Sequence, residues 1–327
     1  MSTWRQKGTI SKVGSAPLSD RIFRVGATLA GVYVLAIIVI MALQLGLESA
    51  PIWEEDGLGF ITSTEWNQAE GREAFGALPY ILGTLITSAI AMTIAVPLSI
   101  GIAMFVMIVP KRFGTPMGYL IELLEAVPSV VYGLWGLFIF RIYFRDWIER
   151  PLHDLFGDSI FLFSGTPLGL DVLSASVILA IMIIPTISAV SREVMMAVPH
   201  QQKEAAYMLG STTWEMFRLA VFPYSKTGLI GASVMGLGRA MGETMAVTML
   251  IGNAVGSSAI PESFFHPSQT MASVIANEFI EASPVSLHVP ALIAIGLVLL
   301  LVALLVNVFA HYIVTRMLKT REGILRT

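Results

Sequence analysis

Residues 74–110 read AFGALPYILGTLITSAIAMTIAVPLSIGIAMFVMIVP, without a single charged side chain. A helix needs roughly 20 mostly apolar residues to cross the hydrocarbon core of a bilayer. A helix also makes its backbone hydrogen bonds internally, which lipid requires because lipid offers no partners. This stretch therefore predicts a membrane-spanning helix between Ala74 and Pro110.

The whole chain has a similar composition. Of its 327 residues, 55% are apolar and only 13% are charged, with a mean hydropathy of +0.75. An average soluble domain has about 25% charged residues, so a soluble fold would lack the polar groups to cover its surface. The net charge of −3, without a basic tract, gives no indication of nucleic-acid binding. The composition predicts an integral membrane protein.

Five further apolar runs make the expected fold all-α, with six transmembrane helices. Beside the helix within Ala74–Pro110, the predicted spans are Val25–Leu47, Met117–Phe140, Val172–Ser191, Thr227–Ile251 and Val289–Thr315. A cleaved signal peptide is the alternative for the first run, although signal peptides have shorter apolar regions of about 7–15 residues.

Polar segments connect these spans. Glu48–Glu73 is acidic, and Arg141–Asp171 is expected to be a loop with a short surface helix. Gly252–His288 is expected to be a loop in which Ser268 caps a short amphipathic helix. Helix 1 and its acidic loop resemble an appendage, so the predicted division is 1–78, a core at 79–315, and a tail at 316–327.

The basic residues predict the orientation in the membrane. Fifteen of the 20 Lys and Arg residues fall in the two tails and in the segments around Lys111 and Arg192–Lys226, whereas four fall on the opposite side. Cytoplasmic segments carry the excess of positive charge. Both termini are therefore expected in the cytoplasm, which agrees with an even number of spans.

Catalytic motifs are missing from the sequence. It has no phosphate-cradling G-x-x-x-x-G-K-[ST] loop, no H-E-x-x-H or G-x-S-x-G motif, and no cysteine. No catalytic residue, metal site or cofactor site is therefore predicted. A membrane protein of this kind is expected to be a transporter, a channel or a receptor.

The polar segment before the fifth span contains KEAAYMLG, Lys203–Gly210. Strong helix formers precede Gly210, which ends or bends the helix. Ser211 or Thr212 is then positioned to cap a second short helix with Glu215 in its first turn. Two short helices at an angle suit docking to another protein, and a plain amphipathic linker is the alternative.

The fifth span contains GLGRAMGET, Gly236–Thr244. A charge at bilayer depth costs several kcal/mol, about 2.5–3.5 on insertion scales, and so needs a partner or a wet cavity. Arg239 and Glu243 are spaced to share one face of a helix. They form either a structural ion pair or part of a substrate path, in which a guanidinium binds an oxyanion.

Nearby residues extend this candidate path. Gly236, Gly238 and Gly242 permit the close approach of a helix or ligand, and Thr244 adds a hydroxyl. The Glu243 carboxylate would repel sulfate but accept a hydrogen bond from an anion that keeps a proton, such as phosphate. We therefore hypothesise that Glu243→Gln weakens discrimination between phosphate and sulfate.

Three prolines and two glutamates complete the candidates. Pro97, Pro128 and Pro185 lie within predicted spans and favour kinks, which are hinge candidates, although proline is common in membrane helices. Glu122 and Glu125 are expected at the membrane interface without a role in transport.

The segment before the fifth span resembles the signature loop of binding-protein-dependent ABC importer permeases. The matching residues are Glu204, Ala205, Ala206, Gly210 and Pro223. Longer stretches resemble the phosphate-specific transport permeases, most of all their C-type subunit. They are Glu122–Leu124 with Ala126–Phe138, Ile178–Pro185, Gly236–Val247 and Asn277–Phe279, and the resemblance covers residues 76–315. Glu125 departs from that pattern, which has a small residue there.

The resemblance implies a type I ABC importer permease fold, with a five-helix core plus an N-terminal helix. It implies a bacterial plasma-membrane importer with a second permease subunit, two copies of an ATPase and an external phosphate-binding protein. The Lys203–Gly210 loop and Pro223 would contact the ATPase, which would bind ATP and Mg²⁺. The alternatives are the same architecture for sulfate or molybdate, an anion transporter or channel that works without ATP, and a role in phosphate signalling.

Overall fold

A computed structural model of the chain describes residues 18–69, 71–157, 159–282 and 286–324. The predicted N-terminal tail up to residue 17, Glu70 and the end of the C-terminal tail from residue 325 lie outside the described residues. The chain forms two compact units, residues 1–47 and residues 48–327.

The described residues of the first unit belong to one long helix, α1 (Leu18–Glu48). Its apolar side chains point outward in every direction, and Phe23, Tyr33 and Leu43 are all more than half exposed. A helix that is apolar all round, without protein packed on it, is typical of a membrane span. α1 covers the predicted first span and extends it toward the N-terminus.

The second unit is mostly helical. Its long helices are α4 (Leu78–Ile108), α5 (Lys111–Glu125), α9 (Val172–Met196), α12 (Phe222–Gly242) and α15 (His288–Ile324). Its short helices are α2 (Ala50–Glu55), α3 (Gly59–Thr62), α6 (Ser129–Trp135), α7 (Arg141–Phe144), α8 (Arg150–Phe156), α10 (His200–Met208), α11 (Thr213–Met216), α13 (Met245–Thr248) and α14 (Met271–Glu278). Wider π-helical turns occupy Gly136–Phe140, Arg145–Glu149 and Phe217–Val221, and 3₁₀ turns occupy Phe161–Phe163 and Gly256–Ala259.

Within the described residues, four single helices are long and apolar enough to cross a membrane, namely α1, α4, α9 and α15. A fifth span is possible if α5 and the helical run Ser129–Phe156 count together, although they are bent by 89°. α12 has 21 residues, about 30 Å, but is not among the helices that are apolar enough. The membrane-spanning helical fold agrees with the sequence, and the count of six stays a prediction.

The predicted third span is wrong as one continuous helix. α5 ends at Glu125, and a new helix begins at Ser129 after Pro128, which has an extended ψ of 140°. Proline lacks the amide proton that a helix needs and disfavours helical geometry in the residue before it. The new helix continues through Arg141 to Phe156, so the predicted loop from Arg141 begins only at Gly157.

α4 and α9 form the centre of the second unit. The face of α4 that meets its neighbours carries small side chains, including Ser88, Ala91 and Ala95. Small residues let two helix backbones approach closely, which is how helices associate where lipid supplies no hydrophobic driving force. Ile183 and Ile187 of α9 are fully buried in the same cluster, so α9 is the central helix.

One end of the unit is closed by the acidic segment between α1 and α4. Strands β1 (Trp66–Asn67) and β2 (Ala74–Phe75) pair antiparallel there. The Glu278 carboxylate on α14 accepts hydrogen bonds from Trp66 and Gln68 at 2.9 and 2.8 Å, and lies 2.9 Å from His288 Nε2. The acidic segment thus lies within the second unit and packs on α14, whereas the sequence analysis grouped it with helix 1. The assignment of 79–315 as an importer core stays a prediction.

Two buried carboxylates join the end of the α6–α8 run to the start of α9. Glu149 accepts hydrogen bonds from Ser174 Oγ at 2.6 Å and from the Gly169 amide at 3.0 Å. Asp171 caps α9 by accepting from the Ser174 amide at 2.9 Å. Burial and the neighbouring Glu149 carboxylate raise the pKa of Asp171 to about 8. Asp171 therefore favours its protonated form in the fold.

The predicted helix in the loop before the last span is confirmed as α14, but its cap is different. Thr270, not Ser268, accepts a hydrogen bond from the Ser273 amide at 3.1 Å, and Ser273 reciprocates. The hydroxyl of Ser268 instead donates to the Ala259 carbonyl.

Candidate functional site

The helix that carries Arg239 ends earlier than expected. α12 stops at Gly242, and Glu243 adopts an extended backbone with φ −69° and ψ 125° before α13 begins. Because helical periodicity stops at Gly242, Arg239 and Glu243 do not share a helix face. The predicted i, i+4 arrangement is therefore wrong, and the predicted span Thr227–Ile251 is broken at the same point.

Arg239 meets two residues from other helices. Its Nη1 donates to Thr186 Oγ1 of α9 at 2.7 Å and to Glu125 Oε1 of α5 at 3.2 Å. Thr186 in turn donates to Glu125 Oε1 at 2.9 Å. Three helices that are far apart in sequence thus meet in one closed polar triangle.

The electrostatics of this triangle explain why it forms. Glu125 is the last residue of α5, where the negative end of the helix dipole disfavours a carboxylate. Arg239 lies in the last turn of α12, where the same effect favours a cation. The side chains are 32% and 38% exposed, for Arg239 and Glu125 respectively, so the guanidinium remains accessible from one side.

Sequence reasoning missed Glu125, which it expected at the interface without a role. One signal could have found it, because a charge at bilayer depth such as that of Arg239 needs a partner. The sequence analysis considered as that partner only Glu243, the carboxylate nearest to Arg239 in sequence. The Pro128 break turns the chain after Glu125. Glu122, one turn earlier, forms an ion pair with Arg192 of α9 instead.

Glu243 and Thr244 have local roles in the structure. The Glu243 carboxylate lies 3.4 Å from the Ala246 amide, at the start of α13. The Thr244 carbonyl accepts from the Thr248 hydroxyl at 2.7 Å, while the Thr244 hydroxyl bonds the Gly242 carbonyl at 3.3 Å. These contacts shape the turn after α12, and a place for either residue on a substrate path stays a prediction.

The three glycines of α12 differ in their surroundings. A Cβ atom on Gly236 would lie 2.5 Å from the Ile187 side chain, so Gly236 permits close packing of α12 on α9. A Cβ on Gly238 or Gly242 would meet no atom within 4 Å. The space beside Gly238 and Gly242 is thus open in this chain and available to a ligand or another helix.

The segment from His200 to Met216, here the α10–α11 segment, has the predicted local structure. α10 contains Glu204, Ala205 and Ala206 and ends before Gly210, whose φ of +81° suits a residue without a side chain. Thr212 and Glu215 form a reciprocal capping box at α11, and their hydrogen bonds lower the pKa of Glu215.

The tip of the α10–α11 segment exposes apolar side chains. Met208 and Leu209 are 89% and 87% exposed, and Trp214 is also exposed. Clustered apolar exposure of this kind marks an interaction surface. α11 runs through a π-helical turn into α12 near Pro223, so the exposed tip is continuous with the helix that carries Arg239.

The three prolines lie at different kinds of position. Pro97 and Pro185 are inside α4 and α9, and the Ser99 hydroxyl donates to the carbonyl of Ile184 at 3.2 Å. Pro128 lies at the 89° bend before α6. The hinge role of all three stays a prediction.

A metal site is not formed by the parts of the chain that the structure describes, which contain no group of three or more His, Asp or Glu residues suited to one.

Comparison with known proteins decides the family. Residues 95–319 match the family described as "Binding-protein-dependent transport system inner membrane component". The chain belongs to this family. The phosphate transport system permease protein PstC of Pasteurella multocida is 44% identical over 93% of this chain and 94% of its own length. PstC of Haemophilus influenzae is 42% identical over 89% of this chain and 90% of its own length, so within the family the chain belongs with the PstC proteins.

A solved structure supports the fold. A bacterial ABC transporter involved in the import of the acidic polysaccharide alginate matches with a TM-score of 0.59, over 91% of this chain and 96% of that chain, at 16% identity. The chain therefore has the fold of an ABC importer permease. The binding-protein-dependent family consists of inner-membrane transport components, and the PstC relatives are permease proteins, not enzymes, as the sequence predicted.

Proposed function

We propose that the chain is the permease subunit of an ATP-driven importer that moves inorganic phosphate across the bacterial inner membrane. The observation that carries this proposal is the match to PstC permeases over almost the whole chain. Within the fold, the half-exposed Arg239 guanidinium supplies the group best suited to bind an oxyanion.

The protein partners are a second permease subunit, two copies of an ATPase and an external phosphate-binding protein, and both termini lie in the cytoplasm.

The α10–α11 segment is the proposed contact with the ATPase, which binds ATP and Mg²⁺. Its exposed Met208, Leu209 and Trp214 provide the apolar area of an interface, and Lys203 and Glu204 provide charge at its side. Because the segment is continuous with α12, closure of two ATPase subunits would transmit a force toward Arg239. Pro97, Pro128 and Pro185 are the positions proposed to bend during that movement.

The substrate path is proposed to pass Arg239, with Gly238, Gly242, Glu243 and Thr244 beside it. In the structure the Glu125 carboxylate contacts Arg239, as a bound oxyanion would. Incoming phosphate therefore competes with Glu125 for the guanidinium. Glu125 returns when phosphate leaves, so the guanidinium always has a counter-charge, and exchange between two anions costs less than exposing an unpaired charge at bilayer depth.

Uptake of radiolabelled phosphate tests the proposal, in a phosphate-import-deficient bacterium that expresses this chain with its neighbouring transporter genes. Uptake that persists in excess sulfate and is lost in Arg239→Ala, at unchanged protein level, is expected. Loss of uptake on adding sulfate or molybdate would indicate a permease for another oxyanion. Uptake without any co-purifying ATPase would instead indicate a transporter or channel that works without ATP.

A further inference from the structure

A cavity of about 580 Å³ lies beside α10 and is lined by none of the three residues of the Arg239 triangle. It is bounded by the end of α4, the start of α5, the end of α9 and α10. Its titratable lining groups are Tyr119, Glu122, Arg192, His200 and Lys203. The remaining lining is apolar or neutral, so basic groups dominate its polar surface.

The charges in this cavity are not balanced. Arg192 is paired with Glu122. At least three of the five N–H groups of its guanidinium remain for other partners. Lys203 forms no ion pair with any carboxylate that the structure describes, and its ammonium donates a long hydrogen bond to the Met195 carbonyl, at 3.5 Å. Partial burial lowers the pKa of Lys203, because burial removes water from around the charged form.

The remaining lining groups fit a phosphate group. Thr115 and Tyr119 on α5 bring hydroxyl donors to the cavity, and His200 on α10 brings an imidazole. The neighbouring groove, which shares Val109 with the cavity, is apolar apart from Arg112 and includes Phe105, Phe113 and Leu120. A basic pocket that continues into an apolar groove between helices suits the headgroup and acyl chain of an anionic lipid, and the same basic groups suit free phosphate.

We propose that this cavity binds a phosphate group, held by Lys203, Arg192 and His200. Lys203 and His200 belong to α10, whereas Arg192 belongs to α9. A bound phosphate group therefore holds α10 against α9. This inference concerns a site separate from the Arg239 triangle and does not depend on what the permease transports.

The test uses the whole transporter complex, purified and placed in nanodiscs of phosphatidylcholine alone or with added phosphatidylglycerol. Thermal unfolding and hydrogen exchange of the α10 amides are measured with and without inorganic phosphate. Lys203→Gln is compared with Lys226→Gln, an exposed lysine outside the cavity, and with Lys203→Arg, which keeps the charge. All variants are repeated with Arg239→Gln, so that phosphate bound at the triangle does not contribute.

We expect one ligand or both to raise the melting temperature and to protect α10 in the wild-type, Lys226→Gln and Lys203→Arg proteins. In Lys203→Gln the midpoint of the titration should move to roughly fivefold higher ligand, since one basic residue near an anionic surface contributes about that factor. A response to phosphatidylglycerol alone identifies a lipid headgroup, and a response to inorganic phosphate alone identifies the free anion. No response to either, or an equal response in Lys203→Gln, overturns the inference.

Discussion

Replacing Glu125 by glutamine removes the charge that contacts Arg239 but keeps an oxygen that can accept from Thr186. Arg239→Gln removes the other half of the pair. If Arg239 binds the substrate and Glu125 only occupies it between transport events, the two variants must differ. Arg239→Gln should lose uptake, whereas Glu125→Gln should keep it.

The size of the effect follows from the geometry. At 3.2 Å and an effective dielectric constant of about 20, the direct attraction is about 5 kcal/mol. Both side chains are roughly one-third exposed, and both lost hydration on pairing, so the net contribution falls to about 1–2 kcal/mol. Removing Glu125 as the competitor should therefore strengthen anion binding at Arg239 roughly five- to thirtyfold.

Two assays measure this prediction. Phosphate uptake is followed in cells with equal membrane amounts of each variant, and thermal unfolding of the purified complex is followed for both single variants and the double variant. The double-mutant cycle should return a coupling of about 1–2 kcal/mol, a shift of a few degrees. Glu122→Gln is the matched control, because it removes a carboxylate from the same helix without touching Arg239.

One result would refute the reasoning. If Glu125→Gln abolishes uptake as completely as Arg239→Gln, and the double variant is no worse than either, the pair acts as one structural unit. Arg239 would then hold three helices together without binding phosphate.

Three further predictions concern other parts of the molecule. Gly236→Ala should lower the melting temperature and uptake because its methyl group would overlap a side chain of α9, whereas Gly238→Ala, which meets open space, should leave the melting temperature unchanged. Leu209→Ser removes exposed apolar area, so the ATPase should co-purify in smaller amount while the permease remains in the membrane. The pKa of Asp171 is 3.8 in the unfolded chain and about 8 in the fold. Protonation of Asp171 therefore stabilises the fold, fully so below pH 3.8, and this contribution is lost as the pH rises through about 8. The melting temperature should thus fall less between about pH 6 and about pH 9 in Asp171→Asn than in wild type. The control Asp154→Asn, at an exposed carboxylate, should behave as wild type. An equal fall in Asp171→Asn and wild type would contradict the raised pKa of Asp171.

Local sequence was a good guide wherever neighbours in the chain decide the structure. Apolar length predicted a helix inside residues 74–110, where α4 lies, and predicted the start of α9 at Val172, although α9 continues past the predicted end at Ser191 to Met196. Side-chain capping chemistry predicted the turn at Gly210 and a cap on α11 at Ser211 or Thr212, of which Thr212 is the cap in the structure. These features depend on hydrogen bonds and dihedral preferences within a few residues, so the order of residues contains the necessary information.

Features that depend on packing were not predictable in the same way. The helix through Arg141 was mistaken for a loop because its charges and aromatic residues resemble a surface segment, and Tyr143 and Trp147 are exposed along the helix. The break after Gly242 was missed because glycine is common in membrane helices. The contacts of Arg239 are the clearest case, because they join residues of three helices.

The sequence by itself determined that this chain is a helical membrane protein, which regions include α1, α4, α9 and α15, and where α10 ends and α11 begins. Only the tertiary structure decided the partner of Arg239. The sequence offered Glu243, four residues away, but the helix ends between them, and Glu125, 114 residues away, occupies the guanidinium instead. A buried charge requires a partner, which sequence can state, but the choice among carboxylates is made by the bend at Pro128 and the packing of three helices.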